Sequence, residues 1–175
     1  MITKNLRALL GALTSNTNYT KSVKLKSEDG TVCIGGAYPG STTYLGAPWV
    51  NTSVSGSYAY NSLRVGTGTT EPTADDYSLQ SETTALTLVS ASATGNYTNN
   101  NLSEGNSAKT IVTTYVNNTT EAVTISEVGY FIEHAQSYNL DGTNATYRNF
   151  LMAREVIDPV EIGAGETYTF TFVIE

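Results

Sequence analysis

Apolar residues in this chain recur, over most of its length, on a period of two. Thr167-Tyr-Thr-Phe-Thr-Phe-Val-Ile alternates strictly, with Tyr168, Phe170 and Phe172 on one face and Thr167, Thr169 and Thr171 on the other. Ser22-Val-Lys-Leu-Lys alternates too, Glu28-Asp29-Gly30 follows as an Asp-Gly turn, and Thr31-Val-Cys-Ile returns. A period of two is the side-chain repeat of a strand, and an Asp-Gly turn between two such runs is a hairpin signal. Further strands are predicted over 62–65, 84–92, 109–116, 122–133 and from residue 150 onward, with Asn117-Asn-Thr-Thr as a tight turn. Ile125 and Val128 break the alternation beside Gly129, which predicts a bulge.

Composition agrees with that pattern. Charged residues make up only 14% of 175, and 12 Tyr stand against 4 Phe. Thr and Tyr suit a half-buried pleated surface, whereas the common helix formers are sparse. Helices do not alternate with the strands, and no repeat of fixed period is present, which excludes βαβ folds, solenoids and propellers. The predicted fold is all-β: an antiparallel β-sandwich, jelly-roll or Ig-like, with a short N-terminal amphipathic helix or arm. The last strand is long, uncharged and free of Pro, so a central position in its sheet is expected. With Cys33 as the one cysteine, no internal disulfide can staple the chain.

The start differs from the rest. Leu6, Leu9, Leu10 and Leu13 fall at i, i+3, i+4 and i+7, opposite Lys4, Asn5 and Arg7, with Thr3 as N-cap. Residues 1–26 carry five cations and no acid, so residues 27–175 carry about −12 of the net −7. We therefore divide the chain into a basic helix or arm over 1–26 and a β-sandwich over 27–175. A helix this short must pack, either on its own core or on a neighbouring subunit. Residues 35–60 read as a long irregular loop whose Tyr38, Tyr44, Trp49, Tyr58 and Tyr60 either cap the core or anchor an interface. The candidate interface is Lys4, Leu6, Arg7, Leu9, Leu10 and Leu13 together with Tyr38, Tyr44, Trp49 and Tyr58.

The chemical inventory is thin. One histidine, His134, and one cysteine cannot make a Cys/His zinc set, and Cys33 reads as a buried thiol inside a strand. Carboxylate pairs occur at Asp75-Asp76 and at Glu155 and Asp158, with no sign of a cleft to hold them. Gly66-Thr-Gly68 lacks the lysine and the helix of a phosphate loop, and its glycines read as permitting a turn with positive φ. Asp141-Gly-Thr-Asn lacks the spaced acids of a calcium loop. No catalytic residue, metal or cofactor is expected, and no apolar run approaches the length of a membrane span. An acidic body argues against direct nucleic-acid binding.

Three stretches carry a resemblance: Leu63-Arg-Val-Gly-Thr-Gly-Thr-Thr-Glu-Pro-Thr-Ala-Asp-Asp-Tyr-Ser-Leu, Asn118-Thr-Thr-Glu-Ala-Val-Thr-Ile-Ser-Glu-Val-Gly-Tyr-Phe, and Leu151-Met-Ala-Arg-Glu-Val-Ile-Asp-Pro running on to Phe172. In this order they resemble a pattern of structural proteins of tailed bacteriophage particles. The resemblance covers roughly residues 60–175 and implies a virion component, either a capsid decoration or head-fibre protein or a tail-associated one. The partners it implies are other virion proteins, such as the major capsid protein, and further copies of the chain. A carbohydrate- or cell-surface-binding module is the alternative. From the residues themselves, Glu127 is expected to accept bonds from a nearby turn or to pair with Arg154 on the partner strand.

Overall fold

The computed structural model describes residues 1–8, 23–35, 54–55, 58–59, 61–95, 109–139 and 146–174. They are mostly strand, in antiparallel sheets. In the larger sheet the axis is β8 (Val123–Asn139), which runs beside β9 (Thr146–Ile162) along one edge. Its other edge is shared by β5 (Asn61–Gly66), paired from Ile132 to Glu127, and β2 (Val32–Gly35), paired from Asn139 to Ser137. β1 (Val23–Lys26) completes this sheet against β2. The smaller sheet has the order β10 (Thr167–Ile174), β7 (Lys109–Asn117), β6 (Leu86–Gly95). A hairpin of β3 (Val54–Ser55) and β4 (Tyr58–Ala59) lies within the stretch read as irregular loop.

Local chemistry accounts for the turns. Between β1 and β2 the Ser27 N–H donates to Thr31 O at 2.9 Å, and Gly30 takes φ +83°, which only glycine adopts freely. After β7, the Thr119 N–H donates to Asn117 Oδ1 at 2.9 Å, an Asx turn. The expected bulge is present where β8 meets β9: Ile125 faces Val160 and Glu127 faces Val156, so Ile157, Asp158 and Pro159 oppose Ser126 alone. Pro159 is tolerated there because a bulged residue need not donate to the ladder.

One buried cluster draws on both sheets. Leu25, Cys33, Leu63, Ile125, Tyr130, Phe150 and Met152 come from the larger sheet; Leu86, Ile111 and Phe170 come from the smaller. The sheets also meet by hydrogen bonds at the free edge of β5. The Leu63 N–H donates to Thr113 Oγ1 at 3.0 Å, and the Tyr115 hydroxyl donates to Leu63 O at 2.7 Å. Burial pushes the Tyr115 phenol up to about 12, which keeps it a donor. On the opposite face of β8 and β9, Leu79, Phe131 and Leu151 form a smaller cluster under the 67–85 connection.

Several expectations are corrected. Among the described residues helix is limited to residues 4–8, and Leu9, Leu10 and Leu13 lie outside them. Thr3 does not cap with its side chain: its hydroxyl donates to the carbonyls of Leu151 and Met152, at 2.8 and 3.0 Å, because the edge of β9 lies alongside. β8 and β9 run through residues 136–139 and 146–149, beyond the predicted strands over 122–133 and from residue 150, since backbone pairing carries strands past their apolar pattern. Most directly, β10 is an edge strand among the described strands, not a central one. Alternation fixes which face of a strand is buried; it carries no information about which strands flank it.

Candidate functional site

Among the described residues the most elaborate polar arrangement is built on Glu127, whose side chain leaves β8 on the face covered by residues 67–82 and is fully buried. Its Oε1 accepts from the N–H groups of Ser81 (2.7 Å) and Gly68 (3.2 Å). Its Oε2 accepts from the Gln80 N–H (3.0 Å) and from Arg154 Nε (2.8 Å). Four donors on one carboxylate close the end of β5 onto the far arm of the 67–85 connection. Burial alone would raise this carboxyl, but the Ser81 and Gln80 amides and the Arg154 guanidinium outweigh it and hold the group below its ordinary value.

The same cluster explains the two glycines of Gly66-Thr-Gly68. Neither takes positive φ; the described glycines that do are Gly30 and Gly165. A Cβ at Gly66 would stand 2.4 Å from Ser81 O and 2.5 Å from Glu127 Oε1, and one at Gly68 would stand 2.6 Å from the same Oε1. Close approach of backbone to carboxylate, rather than a left-handed turn, requires glycine at both positions.

Arg154 extends the network. It is 3% exposed, and its Nη1 reaches Asp76 Oδ2 at 2.9 Å. Asp76 is in turn fixed by the Thr73 N–H at 3.0 Å and the Thr73 hydroxyl at 2.7 Å. Burial would raise Asp76 as well, and these three donors hold it low; Arg154, pushed down by burial, is raised overall by its two carboxylates. The Arg154 main chain anchors the start of the sequence: its N–H donates to Met1 O at 3.0 Å, and its carbonyl accepts from the Met1 amino group at 2.7 Å. Ile2 bridges Ala153, and the Thr3 N–H donates to Met152 O at 3.0 Å, so residues 1–3 lie along β9 through an isolated bridge. Asn5 then joins β1 to β9, donating to Lys26 O (2.8 Å) and Leu151 O (3.2 Å) and accepting from the Lys26 N–H (2.8 Å).

A second, more exposed group surrounds Arg64. Its Nη1 lies 2.6 Å from Glu28 and 3.5 Å from Glu82, with the guanidinium carbon 4.5 Å from the Phe131 ring centre. Burial, helped by Glu28, raises Glu82 against the pull of Arg64. Arg148 pairs with Asp29 at 2.8 Å, and Lys26 lies over the Tyr77 ring at 3.6 Å.

The singled-out residues distribute as follows. Lys4 is exposed and paired with Asp75, Arg7 is exposed, and Leu6 is 8% exposed in the chain's own core. Tyr38, Tyr44, Trp49 and Tyr60 lie outside the described residues, and Tyr58 is described only as part of the β4 backbone. Asp75 and Asp76 do not act together, since they pair with Lys4 and Arg154 respectively. Glu155 and Asp158 are exposed on β9. Cys33 is buried, as expected. His134 stands opposite Arg148 in the β8–β9 ladder, with its side chain outside the described residues. Among the described residues no group of three His, Cys, Asp or Glu could hold a metal, and no helix is long and apolar enough to cross a membrane.

The expected Glu127–Arg154 pair is therefore present, with a nearby turn bound to the same carboxylate. What the sequence reading missed is Asp76 as the second partner of Arg154. Both Glu127 oxygens are engaged and ionised, so the arrangement holds a connection, two strands and the first residues in one fixed geometry. No family model matches the chain, and no curated protein or solved structure matches it.

Proposed function

We propose that this chain is a non-enzymatic structural component of a tailed-bacteriophage particle, located in the virion and decorating or stabilising the capsid through contacts with neighbouring subunits. The architecture proposed with it is an antiparallel β-sandwich of jelly-roll or Ig-like type. One observation carries the reading. The three separate stretches that resemble phage structural proteins are neighbours in space around a single polar cluster: Gly66, Gly68 and Asp76 from the first, Glu127 from the second, Arg154 from the third. A pattern that recurs because of a shared structural unit should converge in this way, whereas three chance matches need not. The cluster's chemistry supports the same reading, since a carboxylate saturated by four donors fixes shape.

The test is quantitative mass spectrometry on gradient-purified virions of the phage that encodes the chain. The proposal expects the chain in a fixed copy number relative to the major capsid protein. Its absence from particles, with abundance in the infected-cell lysate, would overturn the proposal.

A further inference from the structure

Every long sheet edge among the described strands is blocked by an identifiable device, with one exception. β1 is four residues long, carries Lys24 and Lys26, and has its Lys26 N–H and C=O taken by Asn5. β9 is covered by residues 1–3 and then broken by the bulge at Pro159. β5 has Leu63 bonded by Thr113 and Tyr115, and Val65 O bonded by the Thr83 N–H at 3.1 Å. β6 is interrupted by a register shift between Leu88 and Ser90. β10 has none of these. Its eight residues pair with β7 in unbroken register from Thr167–Val116 to Ile174–Lys109, and they include no charge, proline or glycine. Every second residue of such a strand turns its N–H and C=O away from the strand it pairs with.

The outward face beside this edge is also uncharged. Thr167, Thr169, Thr171 and Val173 of β10 are exposed, Val173 at 49%. Next to them in register stand Val116, Thr114 and Val112 of β7, then Thr87, Ser90 and Ser92 of β6. In a chain of net charge −7, two copies repel one another over most of their surface, and this neutral edge and face is where they can approach.

We infer that β10 pairs with β10 of a second copy, antiparallel about a two-fold axis, joining two three-stranded sheets into one of six strands. The inference rests on the edge itself and does not depend on the virion reading. The antiparallel arrangement follows from symmetry, because a two-fold axis normal to the sheet sets a strand against its own reverse. Directly opposed residues share a face, so the axis passes beside a residue that opposes itself, and the exposed Thr169 and Thr171 then face threonines of the other copy or stand next to them.

Light scattering and native mass spectrometry of the full chain test this. The wild-type chain is expected at twice the monomer mass. A T169K/T171K variant sets like charges across the axis on a solvent-facing surface, so it should return to monomer mass with an unchanged circular dichroism spectrum. Mixing it with a T169E/T171E variant should restore the doubled mass. A wild-type chain that stays monomeric, or an assembly whose mass the lysine pair does not alter, would overturn the inference. A lysine variant that stays monomeric with its glutamate counterpart would overturn it too.

Discussion

Replacing Glu127 by Gln keeps the size of the side chain, removes its charge and sets an NH2 group among four donors. Arg154 would then keep only Asp76, and breaking one partner of a buried ion pair typically costs about 3–5 kcal/mol. We expect E127Q to lower the urea midpoint accordingly; a shift no larger than that of an exposed substitution such as Glu155→Gln would show that the cluster is not strongly stabilising. Gly68→Ala should also destabilise, since its Cβ would lie 2.6 Å from Glu127 Oε1 and 2.7 Å from Gln80 Cβ. Gly165→Ala meets no atom within 4 Å, and only its φ of +77° opposes it, at about 1 kcal/mol.

Acid should unfold the chain through the same residues. Glu127 and Asp76 titrate lower in the folded than in the unfolded chain, so their contribution is complete above the unfolded carboxyl range of about 4 and is lost as pH falls through the folded values. Asp29, held at about 2 by the Ser27 hydroxyl, the Thr31 N–H and Arg148, loses its share as pH falls toward that value. Glu82 is raised, so protonating it works the other way and offsets part of the loss. Urea midpoints should therefore be level from about pH 7 to about pH 5 and fall below about pH 4, less steeply in E127Q. An equal acid slope in both proteins would contradict the role given to Glu127.

At the scale of elements, Phe170 is the test of the smaller sheet. It is 5% exposed, its ring centre lies 4.8 Å from that of Tyr168 and 6.4 Å from that of Tyr115, and Phe170→Ala should cost about 3–5 kcal/mol. Val173→Thr, on the exposed face of the same strand, should change stability little. Equal effects at the two positions would mean that β10 buries the other face. Asn5→Ala should cost about 1–3 kcal/mol, because it leaves the buried backbone groups it serves without partners.

These elements also mark what the sequence made legible. The β1–β2 hairpin was, because its turn chemistry is local, and so was the bulge, because Ile125 and Val128 break parity. The Glu127–Arg154 pair was, because Glu127 stands among the apolar residues of one expected strand and Arg154 falls on the strand expected beside it. The far end of β8 was not: Gln136 to Asn139 follow no apolar pattern and are strand through backbone pairing with β2 and β9. Nor were the amide partners of Glu127, since every residue but proline carries an N–H and only the fold selects Gly68, Gln80 and Ser81. The edge position of β10 was hidden for a similar reason, since strand order depends on contacts between distant segments.

Across the described residues, the 67–85 connection, residues 1–5 and the middle of β8 and β9 form one mechanical unit with a buried carboxylate at its centre. Hydrogen exchange followed along the full chain, wild type against E127Q, tests this most directly. Slow exchange is predicted at Gly68, Gln80 and Ser81 in the wild type, although they sit in a connection between strands, and E127Q should free these amides while β6, β7 and β10 keep their protection. If these three amides exchange rapidly in the wild type, or if E127Q leaves them as protected as before, Glu127 does not hold the unit together.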